Sequence, residues 1–138
     1  MKIGEWDNLG PARGLLQRQL GQFGVAEYAA HVTVNPDNGR LKILVATDSG
    51  LLEYAYAPAG ANPEGDWILR GQLVRWPSVR GLRLQTEAQL DANSHETRSV
   101  WRLVAEEPRI ELAATSDESE RAVQALLAFA RACLQQTA

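Results

Sequence analysis

Few residues in this chain could do chemistry. There are two histidines, His31 and His95, and one cysteine, Cys133. A metal site needs several such ligands at fitting spacing, and no H-x-E-x-H or C-x-x-C pattern supplies them. Ser94-His95-Glu96 are consecutive in a polar loop. Their side chains diverge, whereas nucleophile, base and orienting group must converge. Alternation places His31 on the outward face of a strand. Cys133 falls in the apolar stripe of a helix, where a thiol behaves as a small hydrophobe. Glu106-Glu107 and the run Asp117-Glu118-Ser119-Glu120 sit at element boundaries, where acidic residues suit a helix N-terminus. No glycine-rich phosphate loop with Lys-Ser/Thr is present. The expectation is a protein without catalytic residues, metal or cofactor.

The elements that must carry any other function are easier to read. At 138 residues, 45% hydrophobic and 22% charged, the chain has the size and composition of one folded domain, here taken as residues 1–138. One cysteine excludes an internal disulfide and makes a cytosolic compartment the default. No secretory signal opens the chain, and no window reaches the ~20 apolar residues of a spanning helix. Asn8-Leu9-Gly10-Pro11 starts a short helix over 11–23, with Pro11 at its first position. Leu16, Leu20 and Phe23 form its stripe and Gly24 ends it.

From residue 25 the period becomes two. Tyr28, Ala30, Val32 and Val34 line one face of a first strand. After the turn "NPDNG", Leu41, Ile43 and Val45 line a second, and Asp48-Ser49-Gly50 closes a hairpin onto Leu52, Tyr54 and Tyr56. Asp48 and Ser49 suit a turn, so the hairpin reads as scaffold. Further strands are marked by Trp67, Leu69 and Leu73; by Leu82, Leu84 and Thr86; by Trp101 and Leu103; and by Ile110, Leu112 and Ala114. No helix is expected between residues 36 and 114. The last element is an amphipathic helix with Val123, Leu127, Ala130 and Leu134 in its stripe, widened by Leu126, Phe129 and Cys133. Asp117 with Glu120, or Thr115 with Glu118, is its expected capping box.

Charge is unevenly distributed. The net charge is −3, so no generally basic surface invites nucleic acid. Residues 67–84 nevertheless carry Arg70, Arg75, Arg80 and Arg83 with no acid, while residues 25–66 carry six acids against Arg40 and Lys42. If Pro77-Ser78 is a hairpin turn, Gln72 faces Arg83 and Arg70 faces Gln85, giving one polar outer face. Trp76 beside Arg75 would then sit at a rim, a pairing favoured in protein interfaces. The alternative is a solvated face with Trp76 folded back onto the domain, because exposed charge is ordinary.

About seven strands in meander order, closed by a C-terminal helix, resemble the pleckstrin-homology-like fold of bacterial domains over residues 25–136. The stretches that carry the likeness are "LVATDSGLLEY" and "RIELAATSDESERAVQALLAFARACL". The resemblance implies an α+β, mostly β protein: a half-open barrel plugged by the last helix, with the N-terminal helix as an addition. Family members that bind inositol phosphates use basic residues around the loop between the first two strands. The matching positions here hold Arg40 and Lys42, with only His31 before the loop and Asp37 within it. The expected function is therefore a protein- or peptide-binding module, with Arg40, Lys42, Arg70, Arg75, Trp76, Arg80 and Arg83 as candidate partner-binding residues. Peripheral binding of anionic lipid or a small ligand is the second reading. A secretion-chaperone-like α+β protein is the third, weakened because "PAGANPEGD" is too rich in Pro and Gly for that family's middle helix.

Overall fold

The computed structural model describes residues 1–138 and is α+β, with most residues in strands. In chain order the elements are α1 (Ala12–Phe23), β1 (Glu27–Val34), β2 (Leu41–Thr47), β3 (Leu51–Pro58), β4 (Trp67–Val74), β5 (Arg83–Leu90), β6 (Thr97–Ala105), β7 (Ile110–Thr115) and α2 (Glu120–Thr137). Between residues 36 and 114 the only helical turn is a 3₁₀ turn at Trp76–Ser78. The links are short, and all but residues 91–96 carry Pro or Gly. The chain divides into two compact units, Met1–Trp76 and Pro77–Ala138.

In the first unit β1, β2, β3 and β4 pair in sequence order as an antiparallel sheet. Strand alternation sends Ala30, Val32, Leu41, Ile43, Val45, Leu52, Tyr54 and Leu69 to one face. They pack there with Ile3, Leu9, Ala12 and Leu16 in one apolar cluster. The stripe of α1 thus runs from Ala12 through Leu16 to Leu20, with Leu9 joining it from just before the helix, while Phe23 is exposed. Pro11 lies one residue earlier than expected, at the N-cap. Gly24 ends the helix in the left-handed region (φ 68°), as a C-terminal glycine can without a Cβ clash. Arg13 joins α1 to the N-terminal segment by donating to the carbonyls of Ile3, Gly4 and Trp6.

That segment also closes the outer edge of β1. Ala30 N–H donates to Met1 O (2.7 Å) and Trp6 Nε1 donates to Ala30 O (3.2 Å). A register shift between Glu27 and Ala29 turns Tyr28 outward, 46% exposed, so it does not share the face of Ala30. The hairpin from β2 to β3 is held by Thr47, which is fully buried. Its Oγ1 donates to Gly50 O (2.7 Å) and accepts from the N–H groups of Ser49 and Gly50. Gly50 is required there because a Cβ would lie 2.4 Å from Val74 O.

The second unit holds β5, β6 and β7 as an antiparallel sheet, with α2 lying along β7 and β6. Leu103, Ala105, Ile110, Leu112 and Ala114 are buried, as alternation requires. The N-cap of α2 is Ser119, whose Oγ accepts from Ala122 N–H (3.0 Å). Neither expected capping box forms. Asp117 instead pairs with Arg98 at 2.6 Å, and Thr115 Oγ1 donates to the Glu118 carboxylate. The deepest helix residues are Leu126, Phe129, Ala130 and Cys133, while Leu127 and Leu134 are only half-buried. The apolar arc is therefore rotated from the stripe expected through Leu127.

Leu126→Ala should lower unfolding stability by ~2 to 5 kcal/mol, as complete burial implies, and Leu127→Ala by clearly less. Chemical denaturation of both variants checks this order. Equal midpoints would place the centre of the buried arc elsewhere.

Candidate functional site

Register brings together two of the basic residues that sequence spacing left apart. Thr33 pairs with Lys42, Lys42 with Ala55, and Ala55 with Arg70, so these four form one row across the first sheet. All four are exposed, on the face opposite α1. Two strand spacings separate the backbones of Lys42 and Arg70, roughly 10 Å. The small Ala55 lies between them. Arg40 precedes Lys42 by two residues and is exposed at the start of β2, anchored in its turn by N–H donation to Asn38 Oδ1 (3.0 Å).

The next row carries Leu44, Glu53 and Gln72. Gln72 Nε2 donates to the Glu53 carboxylate (2.8 Å), which holds that anion at the margin of the basic row. Lys42, Glu53, Ala55, Arg70 and Gln72 border an open hollow of about 450 Å³ that Tyr54 and Gly71 also line. The side chain of Tyr54 belongs to the opposite, α1-facing cluster. What Tyr54 and Gly71 offer the hollow is backbone. Gly71 cannot be replaced cheaply, because a Cβ there would meet the Tyr54 ring at 2.3 Å. The same face closes toward its other end, where Ala29, Ala46 and Leu51 are buried.

The remaining candidates fall elsewhere. The expected hairpin between β4 and β5 does not form: β4 pairs only with β3, and β5 only with β6. Gln72 faces Glu53 and not Arg83, and Gln85 faces Arg102 and not Arg70. The 3₁₀ turn after Arg75 and the bridge of Arg80 to Glu107 divert the chain into a second sheet. A four-arginine strip built by cross-strand pairing therefore does not exist. Arg75, Arg80 and Arg83 are exposed. Trp76 is not a rim residue: it is 8% exposed, and its Nε1 donates to Thr47 O (2.9 Å). It secures the end of β4 to the β2–β3 hairpin. The indole is folded back, as that alternative expected.

His31, read as outward-facing, is largely covered, with Trp6 packed edge-on at 5.5 Å between ring centroids. Alternation alone could not reveal this, because the N-terminal segment that wraps β1 comes from outside the strand pattern. Burial, and secondarily the N-terminal ammonium, pull its pKa down to about 4. It is neutral at pH 7 and adds no charge to the basic row. Burial pushes the Cys133 thiol up to about 12, keeping it protonated. His95 lies exposed in the β5–β6 turn. No cluster of three or more His, Cys, Asp or Glu side chains is placed to hold a metal ion. No helix is long and apolar enough to cross a membrane.

Two expectations follow from these placements. Trp76→Ala should lower stability by ~3 to 5 kcal/mol, measured by urea denaturation, as loss of a buried aromatic does. For His31, the unfolded chain binds a proton between pH 6.5 and about 4 that the folded chain refuses. Stability should therefore fall as pH drops through that window and level off below it. His31→Gln should flatten that segment of the profile by about 1 to 3 kcal/mol. Parallel wild-type and mutant curves would show that His31 ionises freely.

Compared with known proteins, the chain matches no family model, no curated protein and no solved structure.

Proposed function

We propose that this protein is a binding module that takes an acidic, extended segment of a partner protein on the outer face of its first sheet. The carrying observation is the row Lys42–Ala55–Arg70, where two unpaired cations flank a small residue over a hollow lined with backbone. A Lys and an Arg roughly 10 Å apart suit carboxylates spaced along one chain. Arg40 extends the basic margin, and Ile68, 37% exposed on the same face by alternation, offers an apolar contact. Charged rims of this kind act mainly on encounter rate and partner choice. A non-catalytic role is part of the reading, since no nucleophile, base and orienting group meet on this face.

The resemblance to bacterial pleckstrin-homology-like domains remains part of the proposal. It is supported by four strands, then three, then a C-terminal helix in chain order. A cytosolic setting is supported by one buried cysteine and no other. The secretion-chaperone reading gains nothing from residues 59–66, which form turns and bends. A lipid reading would need a denser cation cluster than this row supplies, because each cation near an anionic bilayer adds about 1 kcal/mol.

Peptides selected by display against the pure protein should be enriched in Asp and Glu. Their affinity should fall with added salt and drop about tenfold or more in a Lys42→Ala/Arg70→Ala double variant that keeps its stability. Selected peptides without acidic enrichment, or equal binding by that variant, would refute the reading. Binding to phosphatidylserine vesicles at physiological salt, lost in the same variant, would replace it with the lipid reading.

A further inference from the structure

We propose that β5 pairs edge-to-edge with β5 of a second copy of this chain, forming an antiparallel dimer with Gln85 on its two-fold axis. This inference is independent of the basic row on the first sheet.

β5 is an edge strand. It has eight residues in unbroken register with β6, contains no Pro or Lys, and seven of its eight side chains are exposed, Leu90 by 62%. Such edges are normally blunted by bulges, prolines, lysines or a covering segment. This chain covers the edge of β1 with its own N-terminus, yet leaves β5 regular.

The hydrogen-bonding phase of the hairpin tells which backbone groups are open. Ser116 N–H donates to Ser99 O, so Ser99 and its alternates on β6 direct their backbone toward β7. Val100, Arg102 and Val104 therefore point toward β5 and meet Glu87, Gln85 and Arg83. The bond from Asp91 N–H to Glu96 O at the hairpin end has the same phase. The N–H and C=O groups of Leu84, Thr86, Ala88 and Leu90 consequently point to the open side.

Only some antiparallel registers match open groups with open groups, namely those centred on a residue. Centring on Gln85 sets Leu84 against Thr86 of the other copy, both with outward backbone, and Arg83 against its Glu87, twice by symmetry. Centring on Glu87 would oppose two like charges, and centring on Thr86 would oppose no opposite charges. Opposite charges directly across a ladder stabilise it and like charges destabilise it. The charge pattern of β5 thus selects a second β5 as the complementary edge.

Sedimentation equilibrium of the full chain should show mass rising from one chain toward two as concentration increases. Arg83→Glu and Glu87→Arg should each weaken the dimer about tenfold, and the Arg83→Glu/Glu87→Arg double variant should restore it. Gln85→Cys should give a disulfide-linked dimer on mild oxidation, since facing residues at a non-hydrogen-bonded pair lie about 4.5 Å apart at Cα. A monomer at every concentration would overturn the proposal. So would a dimer indifferent to Arg83→Glu, or one in which Gln85→Cys fails to cross-link.

Discussion

The first unit depends on burying one face of its sheet beneath α1 and the N-terminal segment. The cluster of Ile3, Leu9, Ala12 and Leu16 with Ala30, Ile43, Leu52 and Tyr54 contains no charged side chain. Helix α1 carries Gly14 and Gly21, each costing about 1 kcal/mol relative to alanine, so it owes its stability to this docking. Covering that face leaves only the opposite one available. There Lys42, Ala55 and Arg70 lie open while Ala46 and Leu51 are shut. The location of the candidate site is thus a consequence of which face the helix takes.

Two small devices protect this arrangement. Thr47 organises the hairpin through its hydroxyl and receives Trp76 Nε1 on its carbonyl. Gly71 lets the Tyr54 ring lie flat against β4, where any side chain would push it away. Register between β3 and β4 then follows from shape as well as from hydrogen bonds. That same register aligns Ala55 with Arg70, so a glycine under the Tyr54 ring helps set the spacing of surface cations.

The second unit shows how little of a charged surface is pairing and how much is solvation. Arg98 and Asp117 approach to 2.6 Å, but both are more than half exposed, a geometry typically worth 0 to about 1 kcal/mol. Its cohesion comes from Leu103, Ile110 and Leu112 together with Leu126 and Phe129, all buried. The exposed strand β5 adds hydrogen bonds to β6 but almost no buried side chain. This is why it reads as a surface for another chain.

The α+β class, the seven strands and both helices were legible in the sequence, because period two and period 3.6 are local properties that the chain cannot hide. The inward faces of β2, β3 and β7 followed from the same alternation. What the sequence left open was each relation between segments. Pro77-Ser78 looked like a hairpin turn, and only the 3₁₀ turn and the Arg80–Glu107 bridge revealed a switch to a second sheet. Trp76 could be read as a rim residue or as folded back, and only the bond of its indole to Thr47 O decided between them. His31 looked solvated until Trp6 packed against it. Lys42 and Arg70, far apart in sequence, became neighbours only through β3. Local periodicity determines which elements form. Which of them pair is decided by register and burial among distant segments, and those long-range energies leave no periodic trace in the sequence.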